Sequence, residues 1–411
     1  MKSFKSFLEE SYVHHKSDEH GPYLPYKQHI VIDRLLHLMG PSEKVPSGGY
    51  KSLSEEVLNE ITVYDVHAHL PKASAMIRRG EQDENLPRNQ NLHKKIHQGF
   101  RSAFQSMASE DEPTRKAKLR EAKAVFAGFA RSRGYKNAPD LLNENGKTEK
   151  SSGEGVHTLG LTLAPHGLSG LHGFDVCPRA SSECRANCLG TTAGGNKQYP
   201  DSTLSSKIFK TQFLAAHPEH FARILHDEVG RHQRKALSKG MIPGVRLNVT
   251  SDIAWEHHAP ELFKEHPDTQ FYDYTKMHNR VMGQNKPDHP SNYHLTLSHT
   301  GTGHAESNDA QAIKALEAGH VVAMVHQRGK NVPNPTHVED VSTGKRYPIV
   351  NGDDDDNTFD RHATAKKTPG APGQGVVSGL KLKGVKNEQA GKFANPVDSD
   401  GIIRINKPKT A

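Results

Sequence analysis

The sequence predicts an α/β protein built as a (β/α) barrel, in either a complete form or an incomplete or irregular one. A small helical N-terminal region precedes the barrel. Two observations predict the barrel. Short apolar runs rich in β-branched residues alternate with helical patterns from residue 245 onward, which is typical of parallel strands joined by right-handed crossovers. Polar residues also follow successive strands, at the end of a barrel where reacting groups lie.

The first eleven residues predict an amphipathic segment, with Phe4, Phe7 and Leu8 on one face. A frayed terminal helix is one interpretation. Leu8-Glu9-Glu10 also resembles the Leu-x-Glu cleavage site of the prohead proteases of large tailed phages. That resemblance implies packaging of the protein in the phage capsid.

Residues 28–135 predict a helical domain, because apolar residues recur at spacings of three and four. In the last helix of this region, Pro113 stands near the start and Gly134 just past the end. Its basic residues, among them Lys94, Lys95 and Arg101, suit either a phosphate backbone or an ordinary solvated face.

Asp65-Val-His67-Ala-His69 lies inside this region and resembles the His-x-His metal pair of amidohydrolases. Alternation along a strand would put both imidazoles on one side. The sequence that follows is helical and basic rather than a strand-helix repeat. A surface or capping role for the two histidines is therefore favoured.

Residues 136–155 predict a linker, because they are rich in Asn, Lys, Glu, Gly and Ser. Residues 156–384 predict the barrel-like catalytic domain, with strands at 156–164, 245–252, 269–276, 292–301, 320–329, 347–353 and 376–384. Two helices are expected between residues 202 and 240. Residues 385–411 predict a flexible basic tail.

All three cysteines follow the first of these strands, within twelve positions. Cys184 and Cys188 are four apart, so one helical turn puts their thiols on one face, and Cys177 can fold back beside them. The odd number and the lack of a signal-peptide pattern make a disulfide framework improbable. We expect a metal site, whose fourth position is filled by His166 or His172, by water, or by a substrate or cofactor.

The strand ends supply the expected catalytic and substrate-binding residues. Asp252 and Asp273 are the expected acid/base or nucleophilic pair, and Lys276 and His299 would hold a phosphate or assist proton transfer. The remaining polar strand-end residues and one aromatic residue are expected to bind substrate: Asn248, Ser251, Tyr274, Ser298, His326 and Asp353.

The overall charge favours an anionic partner. Lys and Arg exceed Asp and Glu by 54 to 47, which gives a formal net charge of +7 over 411 residues. We expect nucleic acid as the partner, DNA rather than RNA. No apolar run approaches the roughly 18 residues of a membrane span, so no membrane association is expected.

Several motifs together resemble a family of uncharacterised tailed-phage proteins. The shared pattern includes CPRASSECRANCL, VRLNVTSDIAWE, TQFYDYTK, NYHLTLS and YPIVNGD. The resemblance implies a protein made in the host cytoplasm during infection, with packaging in the virion as an additional expectation.

Related phage proteins resemble tRNA-guanine transglycosylases, in which an aspartate nucleophile exchanges guanine for a deazaguanine. That likeness implies Asp252 or Asp273 as nucleophile and Zn²⁺ on the cysteines. An early cysteine loop resembles radical S-adenosylmethionine enzymes instead, which implies a [4Fe–4S] cluster. A third alternative is a virion-associated nucleic-acid-binding protein with no catalytic activity.

Overall fold

The computed structural model describes residues 92–144, 155–165, 169, 171, 174–188, 201–354, 359–361, 375–383, 387 and 390–405. Several sequence predictions lie outside these residues: the segment 1–11, residues 28–91 of the helical domain with the His67 and His69 pair, and His166 and His172 as metal ligands. Within the part of the chain that the structure describes, no helix is long and apolar enough to cross a membrane.

A mostly parallel sheet forms the centre of the described part. Its strands are β1 (Leu142–Asn143), β2 (Val156–Leu161), β3 (Ile242–Arg246), β4 (Gln270–Thr275), β5 (Tyr293–Ser298), β6 (Val322–His326), β7 (His337–Asp340), β8 (Arg346–Asn351), β9 (Val377–Lys381) and β10 (Ile402–Ile405). They lie side by side in the order β1-β2-β3-β4-β5-β6-β9-β8-β7-β10. The sequence prediction of parallel strands is confirmed for β2 to β6, for β8 and for β9.

The predicted closure into a barrel is not shown. Two antiparallel pairings extend the parallel strands: β1 pairs with β2 through Leu142 and Leu161, and β7 pairs with β8. Among the described strands, β1 and β10 stand at opposite ends of the order and do not pair with each other. The physical reason is that β1 occupies the free edge of β2, where a closing parallel strand would have to bind.

The described helices flank this sheet or connect its strands. They are α1 (Leu92–Ser109), α2 (Glu112–Arg131), α3 (Ser182–Ala186), α4 (Asp201–Ala216), α5 (Pro218–Leu237), α6 (Trp255–His258), α7 (Pro260–Glu265), α8 (His278–Gly283) and α9 (Asp309–Glu317). A short 3₁₀ turn covers Gly391–Phe393. The two helices predicted between residues 202 and 240 are present as α4 and α5.

Helices α1 and α2 pack against the helices that precede β3. Phe100 of α1 contacts Phe221 of α5, with ring centroids 6.1 Å apart, and Phe126 of α2 contacts Phe213 of α4 at 4.6 Å. These rings belong to the same hydrophobic core as the sheet. Helix α2 begins as its sequence predicts, because Asp111 caps it by accepting a hydrogen bond from the Thr114 amide and a proline follows in the first turn.

Residues 385–411, expected to form a flexible basic tail, contain the strand β10. Ile402, Ile403 and Ile405 are buried there, and the strand pairs in parallel with β7. This difference arises because a short apolar run gains a sheet partner far away in the chain. The linker predicted over 136–155 likewise contains β1.

Candidate functional site at the carboxyl edge of the sheet

Asn248 organises the loop that follows β3. Its side-chain oxygen accepts hydrogen bonds from the Ser251 hydroxyl at 2.9 Å, the Ile253 amide at 2.9 Å and the Trp255 indole Nε1 at 3.1 Å. Its Nδ2 donates to the Ile253 carbonyl. One buried amide therefore shapes the loop that carries Asp252. The sequence predicted Asn248 and Ser251 as substrate-binding residues, and the structure shows them bonded to each other.

Asp273 lies on β4 and is fully buried. Its carboxylate accepts hydrogen bonds from the Asn248 amide at 2.8 Å and from the Tyr293 hydroxyl at 3.0 Å. Burial raises its pKa to about 7, against the opposing charge of Arg246. The carboxylate thus links the residues that follow the carboxyl end of β3 to strands β4 and β5.

Asp252 belongs to a buried charged cluster with Arg280 and Glu256. The Arg280 Nη1 lies 2.6 Å from Asp252 Oδ1, and its Nε and Nη2 donate to the two oxygens of Glu256 at 2.7 and 2.8 Å. Burial raises the pKa of Asp252, and the Arg280 charge opposes that rise. Burial acts to raise the pKa of Glu256, but the charge and the hydrogen bonds of Arg280, together with smaller contributions, leave that pKa lowered. This bidentate geometry is the strongest form of an arginine-carboxylate contact.

Lys276 bridges the ends of β4 and β5. Its Nζ donates to the Ser298 hydroxyl at 2.9 Å and to the His299 carbonyl at 2.8 Å, while its backbone amide donates to Asp252 Oδ2 at 2.8 Å. Burial lowers the pKa of Lys276, and the neighbouring Cys184 and Asp252 oppose that shift. Lys276, Asp252 and Ser298 are therefore brought together, as their positions at adjacent strand ends predict.

His299 is held by Asp309 at the start of α9. Its Nε2 lies 2.7 Å from Asp309 Oδ1, so this nitrogen donates to the carboxylate. Its Nδ1 accepts from the Gly301 amide and contacts the side-chain amide of Asn395, each at 3.3 Å. Burial lowers the pKa of His299, against the influence of Asp309. Both ring nitrogens have partners within the protein.

The cysteine loop, residues 174–188, lies against the same edge. The Val176 carbonyl accepts a hydrogen bond from the Asp252 amide at 2.6 Å, and the Cys177 thiol lies 3.6 Å from the Thr250 carbonyl. Further along, the Ser182 amide donates to Glu306 in the loop after β5, at 2.7 Å. The loop therefore spans from the carboxyl end of β3 to the carboxyl end of β5, and it brings Cys184 near Lys276.

The loop holds its own shape through short-range contacts. Asp175 accepts from the Cys177 amide at 2.7 Å and pairs with Arg185 at 3.0 Å. Ser181 caps α3 by accepting from the Cys184 amide. The three thiols are half-buried and form no disulfide. Within the described residues, no three His, Cys, Asp or Glu side chains are arranged to hold one metal ion.

Three predicted site residues lie apart from this cluster. His326 ends β6, where its Nδ1 contacts the Gln327 carbonyl, and Asp353 beyond β8 pairs with Lys383 at 2.6 Å. Tyr274 is stacked under the Arg246 guanidinium, 5.1 Å from its ring centre.

The sequence interpretation missed Arg280, Glu256, Tyr293 and Asp309. Each follows or begins a strand or helix without a recognisable motif. Their position was the signal that the sequence offered, because each of the four lies within about one helical turn of a strand or helix that was correctly predicted.

Comparison with known proteins gives one match. Residues 136–395, more than half of the chain, match the family model described as Gene product 88. No curated protein and no solved structure matches the chain.

Proposed function

The chain belongs to the Gene product 88 family, a family of phage gene products, and we propose that it is an enzyme that modifies a nucleic-acid base. We propose further that its cofactor is bound by Cys177, Cys184 and Cys188. One observation carries the proposal: the cysteine loop crosses the carboxyl edge of the parallel sheet and meets Asp252 and Lys276 there.

The donor set suits a metal. Three thiolates are soft ligands, which favour zinc or an iron-sulfur cluster over hard cations such as Mg²⁺. None of the three cysteines is engaged in a disulfide, and each is half-buried. A zinc ion needs its sulfurs to converge on one point at about 2.3 Å, whereas in a cluster each thiolate binds a different iron.

Of the two reactions that the sequence suggests, the iron-sulfur reaction has the better support. The loop follows β2, which is the first of five parallel strands, β2 to β6, that lie side by side in chain order. Such a position resembles the cluster loop of radical S-adenosylmethionine enzymes. A cluster with one open iron would supply an electron and a binding position for a cofactor.

The role of an aspartate nucleophile has weaker support. Asp273 is fully buried, and its carboxylate accepts three hydrogen bonds. Asp252 is paired with Arg280. A nucleophilic carboxylate has to reach the sugar carbon, and neither side chain can do so without giving up these bonds. We propose that both carboxylates hold the loops at the carboxyl ends of the strands in place. Lys276 then orients the bound substrate or cofactor.

A nucleic-acid substrate accords with the charge of the chain. The formal net charge is +7, and the edge itself presents Lys276 beside the polar ends of β4 and β5. Phosphate groups are favoured by such surroundings.

Cofactor content tests the first part of the proposal. The full chain is purified without oxygen and reconstituted with iron and sulfide, and iron and absorbance near ~400 nm are measured. We expect a brown protein that loses the absorbance in Cys184→Ser, while Ser238→Ala, on the exposed end of α5, retains it. A colourless protein with zinc would overturn the cluster, and a protein that binds neither metal would overturn the role of the cysteines.

Nucleoside composition tests the second part. DNA from phage with the intact gene is compared with DNA from phage carrying Cys184→Ser. We expect a modified nucleoside that disappears in the variant. Identical nucleosides in DNA and in RNA from infected cells would overturn base modification and favour a non-catalytic binding protein.

A further inference from the structure

A second polar site lies at the opposite end of β2 from the cysteine loop. A cavity of about 290 Å³ opens beside the amino-terminal half of this strand. His157, near the start of β2, and His232, on α5, both line it. The cavity is therefore separate from the carboxyl edge, where the cysteines follow the last residues of the same strand.

The two imidazoles face each other inside the protein. Their ring centroids are 5.0 Å apart, and both side chains are more than nine-tenths buried. Burial and the neighbouring His157 lower the pKa of His232 to about 4, so His232 is neutral at neutral pH. Burying a ring nitrogen without a hydrogen-bond partner costs free energy.

Each ring uses Nε2 as a donor. His157 Nε2 lies 2.7 Å from Glu144 Oε1, and His232 Nε2 lies 2.9 Å from the Gly244 carbonyl. Both partners are oxygen acceptors, so the proton sits on Nε2 in each ring. The remaining nitrogen, Nδ1, then carries a lone pair.

Both Nδ1 atoms are shielded from solvent and have no hydrogen-bond partner. This is the pattern of metal-binding histidines, which donate one ring N–H to a carboxylate or a backbone carbonyl and bind the metal through the other nitrogen. Here Glu144 plays the carboxylate part and Gly244 the carbonyl part. These two hydrogen bonds fix the orientation of both rings, as such bonds do for histidines that bind a metal.

The wall of the cavity has an excess of negative charge. Three acidic side chains line the cavity, those of Asp140, Glu144 and Glu228. Only two basic side chains, those of Arg231 and Lys235, line it as well. Glu228 also accepts the Leu141 and Leu142 amides, so its position is fixed. Such surroundings favour a cation, and water in the cavity can fill the positions that two imidazoles leave open.

We propose that His157 and His232 bind a divalent transition-metal ion, such as Ni²⁺ or Zn²⁺, through their Nδ1 atoms. The ion would connect β2 to α5 and, through Glu144, to the segment after β1. Its role is to stabilise the amino-terminal edge of the sheet, and this does not depend on the proposed function.

Binding of Ni²⁺ tests the site. The untagged full chain is treated with iodoacetamide so that its thiols cannot bind metal, and bound Ni²⁺ is counted after dialysis. We expect the double variant His157→Gln/His232→Gln to bind about one ion fewer per chain than the unaltered protein. The control His337→Gln removes an exposed imidazole of β7 and should retain that ion.

Thermal unfolding gives a second readout. Ni²⁺ should raise the melting temperature of the unaltered protein and of His337→Gln, and it should leave the double variant unchanged. If the double variant does not fold, the single variant His157→Gln replaces it in both measurements. Equal Ni²⁺ content in variant and unaltered protein, or a melting temperature that Ni²⁺ does not raise, would overturn the proposal.

Discussion

Arg280 holds Asp252 and Glu256 together from a position on α8. The guanidinium approaches Asp252 to 2.6 Å and binds both oxygens of Glu256, and its Nη2 donates to the Tyr293 hydroxyl at 3.1 Å. One buried cation thus joins the loop after β3, helix α6 and strand β5. We therefore expect the structure at the carboxyl ends of the strands to depend on Arg280 more than on Asp252 or Asp273, the two aspartates that the sequence predicts as catalytic.

Replacement of Arg280 by methionine should destabilise the protein strongly. The substitution leaves Asp252 and Glu256 buried without their cation, and breaking a buried pair in this way costs about 3–5 kcal/mol. The free energy of unfolding, measured in urea, provides the test.

The matched control is Arg346→Met on β8. Arg346 pairs with Glu339 at 2.8 Å, but its side chain is more than half exposed, and exposed pairs contribute about 0–1 kcal/mol. Equal losses in the two variants would contradict a special role for Arg280.

Asp273 should make stability depend on pH. Burial raises its pKa to about 7 in the folded protein, while an unfolded Asp titrates near ~3.9. The folded state therefore binds more protons between these values, and stability should fall as pH rises from about 4 to about 7. Above about 7 the contribution is lost and the profile should become flat.

The isosteric variant Asp273→Asn cannot titrate, so its unfolding free energy should lack this component. The measurement is the difference in stability between variant and unaltered protein at several pH values from 4 to 8. A difference that stays constant over this range would show that Asp273 does not titrate there.

The sequence predicted the core of the fold because β2 to β6 are buried on both faces. Strands of this kind are almost continuously apolar, as in the run Val322–His326. The edge strands β1 and β10 were not predicted, and neither was β7, the neighbour of β10. Each is short, and β10 acquires its strand conformation by pairing with β7, about 65 residues earlier in the chain.

The site was predicted in part for a similar reason. Asp252, Lys276 and Ser298 follow neighbouring parallel strands, so topology alone brings them together. Arg280 and Glu256 lie on short helices, and their contact depends on the angles at which α6 and α8 leave the sheet. No spacing rule in the sequence specifies those angles.

Gly99 allows α1 to approach α5. A Cβ at this position would lie 2.6 Å from Pro218 Cγ and 2.8 Å from Pro218 Cβ. Gly99→Ala should therefore force the two helices apart and destabilise the protein by about 1–3 kcal/mol. Thermal or urea unfolding measures this effect.

Gly128 on α2 offers the opposite case. A Cβ there would meet only the end of the Arg131 side chain, at 3.9 Å, so Gly128→Ala should stabilise the helix by about 0.5–1 kcal/mol. A Gly99→Ala variant that is as stable as Gly128→Ala would contradict the close contact between α1 and α5.

Asn248→Ala should disrupt the loop between β3 and α6. The change removes the shared acceptor of the Ser251 hydroxyl, the Ile253 amide and the Trp255 indole, and each buried donor left unpaired costs about 1–3 kcal/mol. Trp255 is the only tryptophan and is fully buried, so its fluorescence reports on this loop alone. We expect a loss of at least about 3 kcal/mol in urea unfolding and an emission maximum shifted to longer wavelength. In the control Asn285→Ala, where the side chain makes one 3.3 Å contact with His320, the emission should not move, and an equal shift in both variants would contradict the role of Asn248.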